Sequence, residues 1–171
     1  MLKFKKSLGQ NLLVDKNVVN KILSVESVKN QNIFEIGPGL GNLSEIIIKK
    51  GPKKFLAVEK DERFCKLLQS KFTKAKNFYL ENGDILKYNL NSIETKNVIV
   101  FGNLPYNIST QILFSLINLK KWPPFYKKII FMFQKEVADR ILAKSNTKEY
   151  GRLTILTNFR LNIIKSFKIS R

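Results

Sequence analysis

Short apolar runs alternate with stretches of helical spacing along this chain, and that alternation leaves few folds open to it. Asn32–Gly37, Lys54–Glu59, Asn77–Glu81, Asn97–Asn103 and Lys128–Gln134 are rich in β-branched and aromatic residues and read as strands. Asn42–Lys50, Asp61–Lys71, Ser109–Leu119 and Lys135–Ala143 carry apolar residues at helical spacing, as Ile112, Leu113, Leu116 and Ile117 do. The strands are apolar enough to be covered on both faces. An α/β fold follows: a mostly parallel sheet with helices on both sides, in which ligands sit at the carboxyl ends of the strands.

The flanks extend this pattern. Val14–Val25 has helical spacing through Val18, Val19, Ile22 and Leu23, with Asp15 placed to cap its start. Gly151–Phe159 fits either helix or strand, and Leu161–Ile169 reads as a final strand. No repeat, low-complexity tract or linker interrupts the 171 residues, so a single domain is expected over 1–171.

The first strand runs into Glu35-Ile36-Gly37-Pro38-Gly39-Leu40-Gly41-Asn42, a turn that lets a ligand approach the backbone without meeting Cβ atoms. A dinucleotide fingerprint needs a third glycine where Asn42 stands, so a compact cofactor without phosphates fits better. Glu59 ends the second strand, where a carboxylate can accept from both hydroxyls of a ribose. Asp84, in Asn82-Gly83-Asp84 after the third strand, can accept from the exocyclic amine of an adenine.

The fourth strand ends in Asn103-Leu104-Pro105-Tyr106-Asn107-Ile108-Ser109-Thr110. The N6 amine of adenine is a poor nucleophile because its lone pair is delocalised into the ring. Two acceptors, the side-chain oxygen of Asn103 and the carbonyl of Leu104, can hold its N–H groups and direct that lone pair at an electrophile. Pro105 keeps the residue before it extended and removes a competing donor. Tyr106 offers a face on which an extruded base can stack.

Composition narrows the chemistry. The chain has no His, which excludes His general bases, Ser-His-Asp and Cys-His nucleophiles and imidazole zinc sites; no metal is expected. Cys65 is the single cysteine, as suits a reducing cytosol. No apolar run is long enough to cross a membrane and the basic N-terminus lacks a signal-peptide core, so a cytoplasmic protein without a membrane partner is expected. The formal charge of +18 favours a polyanionic partner, although abundant Lys, Asn and Ile also fit an A+T-rich coding sequence. Lys3, Lys5, Lys6, Lys120, Lys121, Lys127 and Lys128 are candidate phosphate contacts.

The order of these motifs resembles one family. Ser7-Leu8-Gly9-Gln10-Asn11, then Glu35 to Gly41, Val58 to Asp61, Asn82 to Asp84, Asn103 to Thr110, Phe131 to Arg140 and Tyr150 to Leu153 are similar to the bacterial small-subunit ribosomal RNA adenine N6,N6-dimethyltransferases of the KsgA type. The resemblance implies a Rossmann-like class I S-adenosylmethionine-dependent methyltransferase fold. It implies that Asn11 and Leu13 close over S-adenosylmethionine, that Gly37 and Gly39 contact its amino-acid end, that Glu59 takes its ribose and Asp84 its adenine, and that S-adenosylhomocysteine is the product. Asn103 would lie between the cofactor and the target adenine, with Leu104 and Tyr106 completing the acceptor site.

The implied substrate is small-subunit rRNA in the immature 30S subunit, dimethylated at two adjacent adenosines near the 3′ end, by a monomer. Large-subunit relatives usually carry Asn-Ile-Pro-Tyr and a different glycine turn; Leu104, Pro38 and Leu40 favour the small-subunit type. Leu12 stands where the family usually has an aromatic residue. The family also continues past a segment like Ser166–Arg171 into a small helical domain, so the chain is expected to hold the catalytic domain without it. Three alternatives remain: a ribosome-assembly or rRNA-binding factor with weak or no catalysis, motivated by the charge; a large-subunit rRNA adenine N6-methyltransferase; and an NAD-dependent oxidoreductase, disfavoured by Asn42 and the lack of His.

Overall fold

A computed structural model describes residues 15–169. Its elements are α1 (Lys16–Leu23), β1 (Asn32–Ile36), α2 (Asn42–Lys49), β2 (Lys54–Glu59), α3 (Glu62–Lys71), β3 (Phe78–Asn82), β4 (Val98–Asn103), α4 (Ser109–Ile117), β5 (Tyr126–Met132), α5 (Lys135–Ile141) and α6 (Arg152–Arg160), with a short 3-10 turn at Leu90–Ser92. The strands form one sheet in the order β3-β2-β1-β4-β5, every neighbouring pair parallel.

Alternation along the strands divides the core in two. Ile33, Phe55, Ala57, Ile99 and Phe101 face one side and pack with Val19, Ile22 and Leu23 of α1 and Leu43 and Ile47 of α2. Phe34, Ile36, Val58, Val98 and Val100 face the other and pack with Leu104 and with Ile112 and Leu116 of α4. Covering both faces removes the need for polar residues within the strands, which is why they read as continuous apolar runs. Leu113 and Ile117 of α4 carry the packing outward to Ile141 of α5 and Leu153 of α6.

The helix starts follow from local chemistry. Asp15 accepts the Asn17 N–H at 2.7 Å and Asp61 accepts the Arg63 N–H at 3.0 Å, each supplying the N-cap its helix lacks internally. Gly151–Phe159 is resolved as helix: Thr154 accepts from the Gly151 N–H and donates to the Arg140 carbonyl, which ties α6 to the end of α5.

Two expectations need correction. The fifth strand lies at Tyr126–Met132, not Lys128–Gln134, because Met132 pairs with Asn103, the last residue of β4, and Phe133 has no partner beyond it. An irregularity between Val98 and Ile99 absorbs Lys127 and brings Tyr126 into the sheet. Leu161–Ile169 is not a strand. Leu161 and Phe167 have the same parity and would share one face of a strand, yet Leu161 packs with the α4 side of the core and Phe167 with the α1 side. Ile164 and Lys165 break the alternation between them.

Candidate active site at the carboxyl edge of the sheet

Pairing registers align the strand ends. Glu59 pairs with Asn82 and Asn103 with Met132, while Ile36 pairs with both Val58 and Gly102. Gly37, one residue past Ile36, therefore stands between Glu59 and Asn103 in a single row at the carboxyl edge. Adjacent strands are about 4.8 Å apart, so the three positions span two strand spacings. Strand order reverses between β1 and β4, the place where open α/β sheets bind ligands.

The turn after β1 takes its shape from left-handed glycines: Gly37, Gly39 and Gly41 have φ of 66°, 57° and 74°. At Gly37 an added Cβ would meet nothing within 4 Å, so the turn borders open space there. At Gly41 it would lie 2.5 Å from Leu68 Cδ2, so this glycine is needed for close packing of the turn on α3.

Glu59 is buried, with both oxygens engaged: Gly39 N–H donates to Oε2 at 3.0 Å and Asp61 N–H to Oε1 at 2.8 Å. Each carboxylate oxygen has two acceptor positions and three backbone N–H groups approach them, so capacity remains for a hydroxyl donor. Burial raises the Glu59 pKa, opposed by the backbone N–H groups of Asp61, Gly39 and Lys60. Asp84 pairs with Lys60 Nζ at 2.8 Å and accepts from Leu86 N–H at 3.0 Å, and these contacts hold its pKa below the ordinary value against the opposing effect of burial.

At the end of β4, Leu104 is fully buried and Tyr106 is 47% exposed. An added Cβ at Gly102 would lie 2.6 Å from Leu104 Cδ2, so the leucine side chain folds back over the strand and fixes its own main chain. Ile108 N–H donates to the Pro105 carbonyl at 3.2 Å, closing a turn that leads into α4. Gly37, Gly39, Glu59, Asp84, Asn103, Leu104 and Tyr106 thus gather along one edge of the sheet. Asn11 and Leu13 lie outside the described residues, as do Lys3, Lys5 and Lys6. Among the described residues no group of three or more Cys, Asp or Glu is placed to hold a metal ion, and no helix is long and apolar enough to cross a membrane.

A family model described as Ribosomal RNA adenine dimethylase matches residues 1–169. The chain belongs to the ribosomal RNA adenine dimethylase family. Similar curated proteins include the Ribosomal RNA small subunit methyltransferase A of Pelagibacter ubique (strain HTCC1062), 47% identical over 169 residues that make up 98% of this chain and 63% of that protein. The protein of the same name from Mycoplasma mobile is 41% identical, again over 98% of this chain and 63% of its own length. The chain therefore spans less than two thirds of these relatives. Among solved structures, a dimethyladenosine transferase from Plasmodium falciparum superposes with a TM-score of 0.75 at 30% identity, over 86% of this chain and 52% of that one. The 23S rRNA methyltransferase ErmE, at 24% identity and a TM-score of 0.68 over 86% of this chain and 57% of its own, shares the fold. That fold is the Rossmann-like one of class I S-adenosylmethionine-dependent methyltransferases.

Within this dimethylase fold, two supporting groups escape a motif reading. Glu35 is buried in β1 and accepts from Ser44 Oγ of α2 at 2.6 Å, tying the strand before the glycine turn to the helix after it. Burial raises its pKa to about 7, Ser44 opposes the shift, and the neighbouring Glu59 adds to it. The signal was an acid inside an otherwise apolar strand. Asn82 Nδ2 donates to the Glu59 carbonyl at 3.0 Å, holding the backbone that carries the carboxylate; its position at the end of the third strand was visible, its role was not.

Proposed function

We propose that this chain is the catalytic domain, over residues 1–171, of an S-adenosylmethionine-dependent methyltransferase that dimethylates N6 of adenines in small-subunit ribosomal RNA. The observation that carries the reading is the single row of Glu59, Gly37 and Asn103. It sets a ribose acceptor and an open glycine turn beside an amide suited to an aromatic amine.

The residues present suit the cofactor. Gly37 leaves room that a side chain would fill, Gly39 completes the turn, Glu59 keeps acceptor capacity toward the ribose, and Asp84 is placed for the adenine amine. Asn11 and Leu13 would close over it. When bound, S-adenosylmethionine supplies an electrophilic methyl group and leaves as S-adenosylhomocysteine.

At the acceptor corner, Tyr106 stacks the extruded adenine while Asn103 Oδ1 and the Leu104 carbonyl accept its two N6 hydrogens. Those acceptors favour a pyramidal nitrogen with its lone pair aimed toward the glycine turn. Catalysis rests on positioning and exclusion of water. The methylated nitrogen is acidic enough to release its proton through the same acceptors to water, which agrees with a chain that has no His.

The substrate in this reading is the immature 30S subunit, at two adjacent adenosines near the rRNA 3′ end, acted on by a cytoplasmic monomer. The curated relatives carry small-subunit methyltransferase names, which supports the choice over large-subunit rRNA. Incubating the chain with immature small subunits and S-adenosylmethionine, then analysing digested rRNA by mass spectrometry, should yield N6,N6-dimethyladenosine. Asn103→Ala should cut turnover at least about a hundredfold while leaving cofactor affinity within about threefold. No dimethyladenosine from the parent chain would refute the reading.

A further inference from the structure

The four lysines singled out around β5 do not share one fate. Lys128 pairs with Glu26, and Lys127 Nζ donates to Gln31 Oε1 at 2.8 Å. Lys120 and Lys121 are exposed, and the ion pairs among the described residues use other cations: Lys49, Lys60, Arg63, Lys71, Lys128 and Lys135.

Next to them in sequence is Trp122, the only tryptophan in the chain, 45% exposed. The Arg160 guanidinium, at the end of α6, lies 4.5 Å from the Trp122 ring centroid and 5.5 Å from the ring of Phe159, which is 76% exposed. Arg160 thus joins two exposed aromatic rings, and it forms no ion pair with a described carboxylate. The loop is held in place: Lys120 N–H donates to Asn91 Oδ1 at 3.1 Å, Pro123 and Pro124 restrict the backbone after Trp122, and Phe125 beyond them is buried.

We propose that Trp122, Phe159 and Arg160, with Lys120 and Lys121, form a second contact for single-stranded RNA at the end of the sheet opposite the acceptor corner. Trp122 precedes Tyr126, the first residue of β5, whereas Met132 at the other end stands in the row with Asn103. Six residue rises of about 3.3 Å put roughly 20 Å between the two ends.

Exposed rings with an arginine between them offer stacking surfaces to bases of any sequence, and unpaired lysines beside them suit phosphates. Duplex RNA hides its base faces, so the arrangement selects single strands. An apolar protein partner has no use for three uncompensated cations. The inference builds on the RNA substrate proposed above and adds a handhold that does not touch the reacting base.

Because Trp122 is the only tryptophan, its emission reports on this contact directly. Titrating the full chain with a short oligoadenylate should quench that emission to saturation, and the matching duplex should do so weakly. Trp122→Leu should weaken binding of fluorescently labelled oligoadenylate, read by anisotropy, about fivefold or more. Converting Lys120 and Lys121 together to Ala should reduce the slope of log affinity against log salt by about 1.4, at 0.7 per phosphate, without altering emission in the absence of RNA.

Anisotropy that rises while the emission stays constant would overturn the proposal, as would parental affinity in a folded Trp122→Leu chain. Emission that changes with protein concentration alone would instead mark a contact between copies and also overturn it. Dimethyladenosine formation without quenching defeats this inference alone; loss of both defeats the RNA reading beneath it.

Discussion

The two halves of the carboxyl edge are built differently. On the β1–β2 side, acceptors and donors already satisfy one another: Glu59 holds Gly39 and Asp61, Asn82 holds the Glu59 carbonyl, and Ser44 holds Glu35. On the β4 side one residue, Leu104, is sunk into the core, while Asn103 is partly and Tyr106 largely open to solvent. The first half is hydrogen-bonded within itself before any ligand arrives, whereas the second buries Leu104 and leaves the Tyr106 ring exposed. A compact cofactor can be met by a preformed cradle, but a base drawn from a folded RNA needs an open face on which to land.

Substitutions can test that contrast. The largest effect is expected at Gly41, where a Cβ would crowd Leu68 and Phe72 and φ is 74°. Gly41→Ala should lower unfolding free energy by about 3 kcal/mol in urea melts, combining overpacking with left-handed strain. Gly37→Ala meets no crowding, so its cost to stability should be about 1 kcal/mol; equal losses at both would show that the turn is not anchored through α3.

Glu59→Gln comes next. An amide nitrogen would face the N–H of Gly39 or Asp61, and one hydroxyl acceptor would be lost. S-adenosylmethionine affinity by calorimetry should fall about thirtyfold or more, or about 2 kcal/mol. An unchanged affinity would remove Glu59 from the cradle.

Glu35→Gln tests whether the hydrogen bonding within this side has a cost. The folded pKa of about 7 exceeds the ordinary 4.5, so the folded chain binds the extra proton between those values. Stability from this group is present at low pH, declines as pH rises from about 4.5 to 7, and is absent above. Gln keeps the Ser44 bond without the charge, so melts at pH 8 should show the variant more stable by roughly 3 kcal/mol, a difference that vanishes near pH 4. A variant less stable at pH 8 would mean that the carboxylate is held there by favourable contacts.

The smallest change in fold stability belongs to the open half. Tyr106→Ala should leave unfolding within about 0.5 kcal/mol of the parent while raising KM for RNA about five- to tenfold, and Tyr106→Phe should restore it. A large loss of stability would place the ring in the core, not on the landing face.

Much of this was legible in the sequence because it depends on local pattern. Apolar runs such as Val98 to Phe101 marked the strands, and the structure has the Gly37 to Gly41 turn and Glu59 at the strand ends where the pattern put them. Long-range events were less visible. The β5 shift depends on where β4 stops, and the path of Leu161 to Ile169 depends on which side of the core each anchor reaches. Glu35 with Ser44, and Arg160 between Trp122 and Phe159, join side chains whose relation only the folded backbone reveals.

The burial of Leu104 has a genetic consequence. If the acceptor there is a peptide oxygen, no codon change at position 104 can delete it, and replacement by another large aliphatic residue should pass nearly unnoticed. Inactivating alleles should instead accumulate at Gly102, where any side chain would displace the leucine, so the most vulnerable nucleotide positions for base recognition lie in a residue that has no side chain to touch the base.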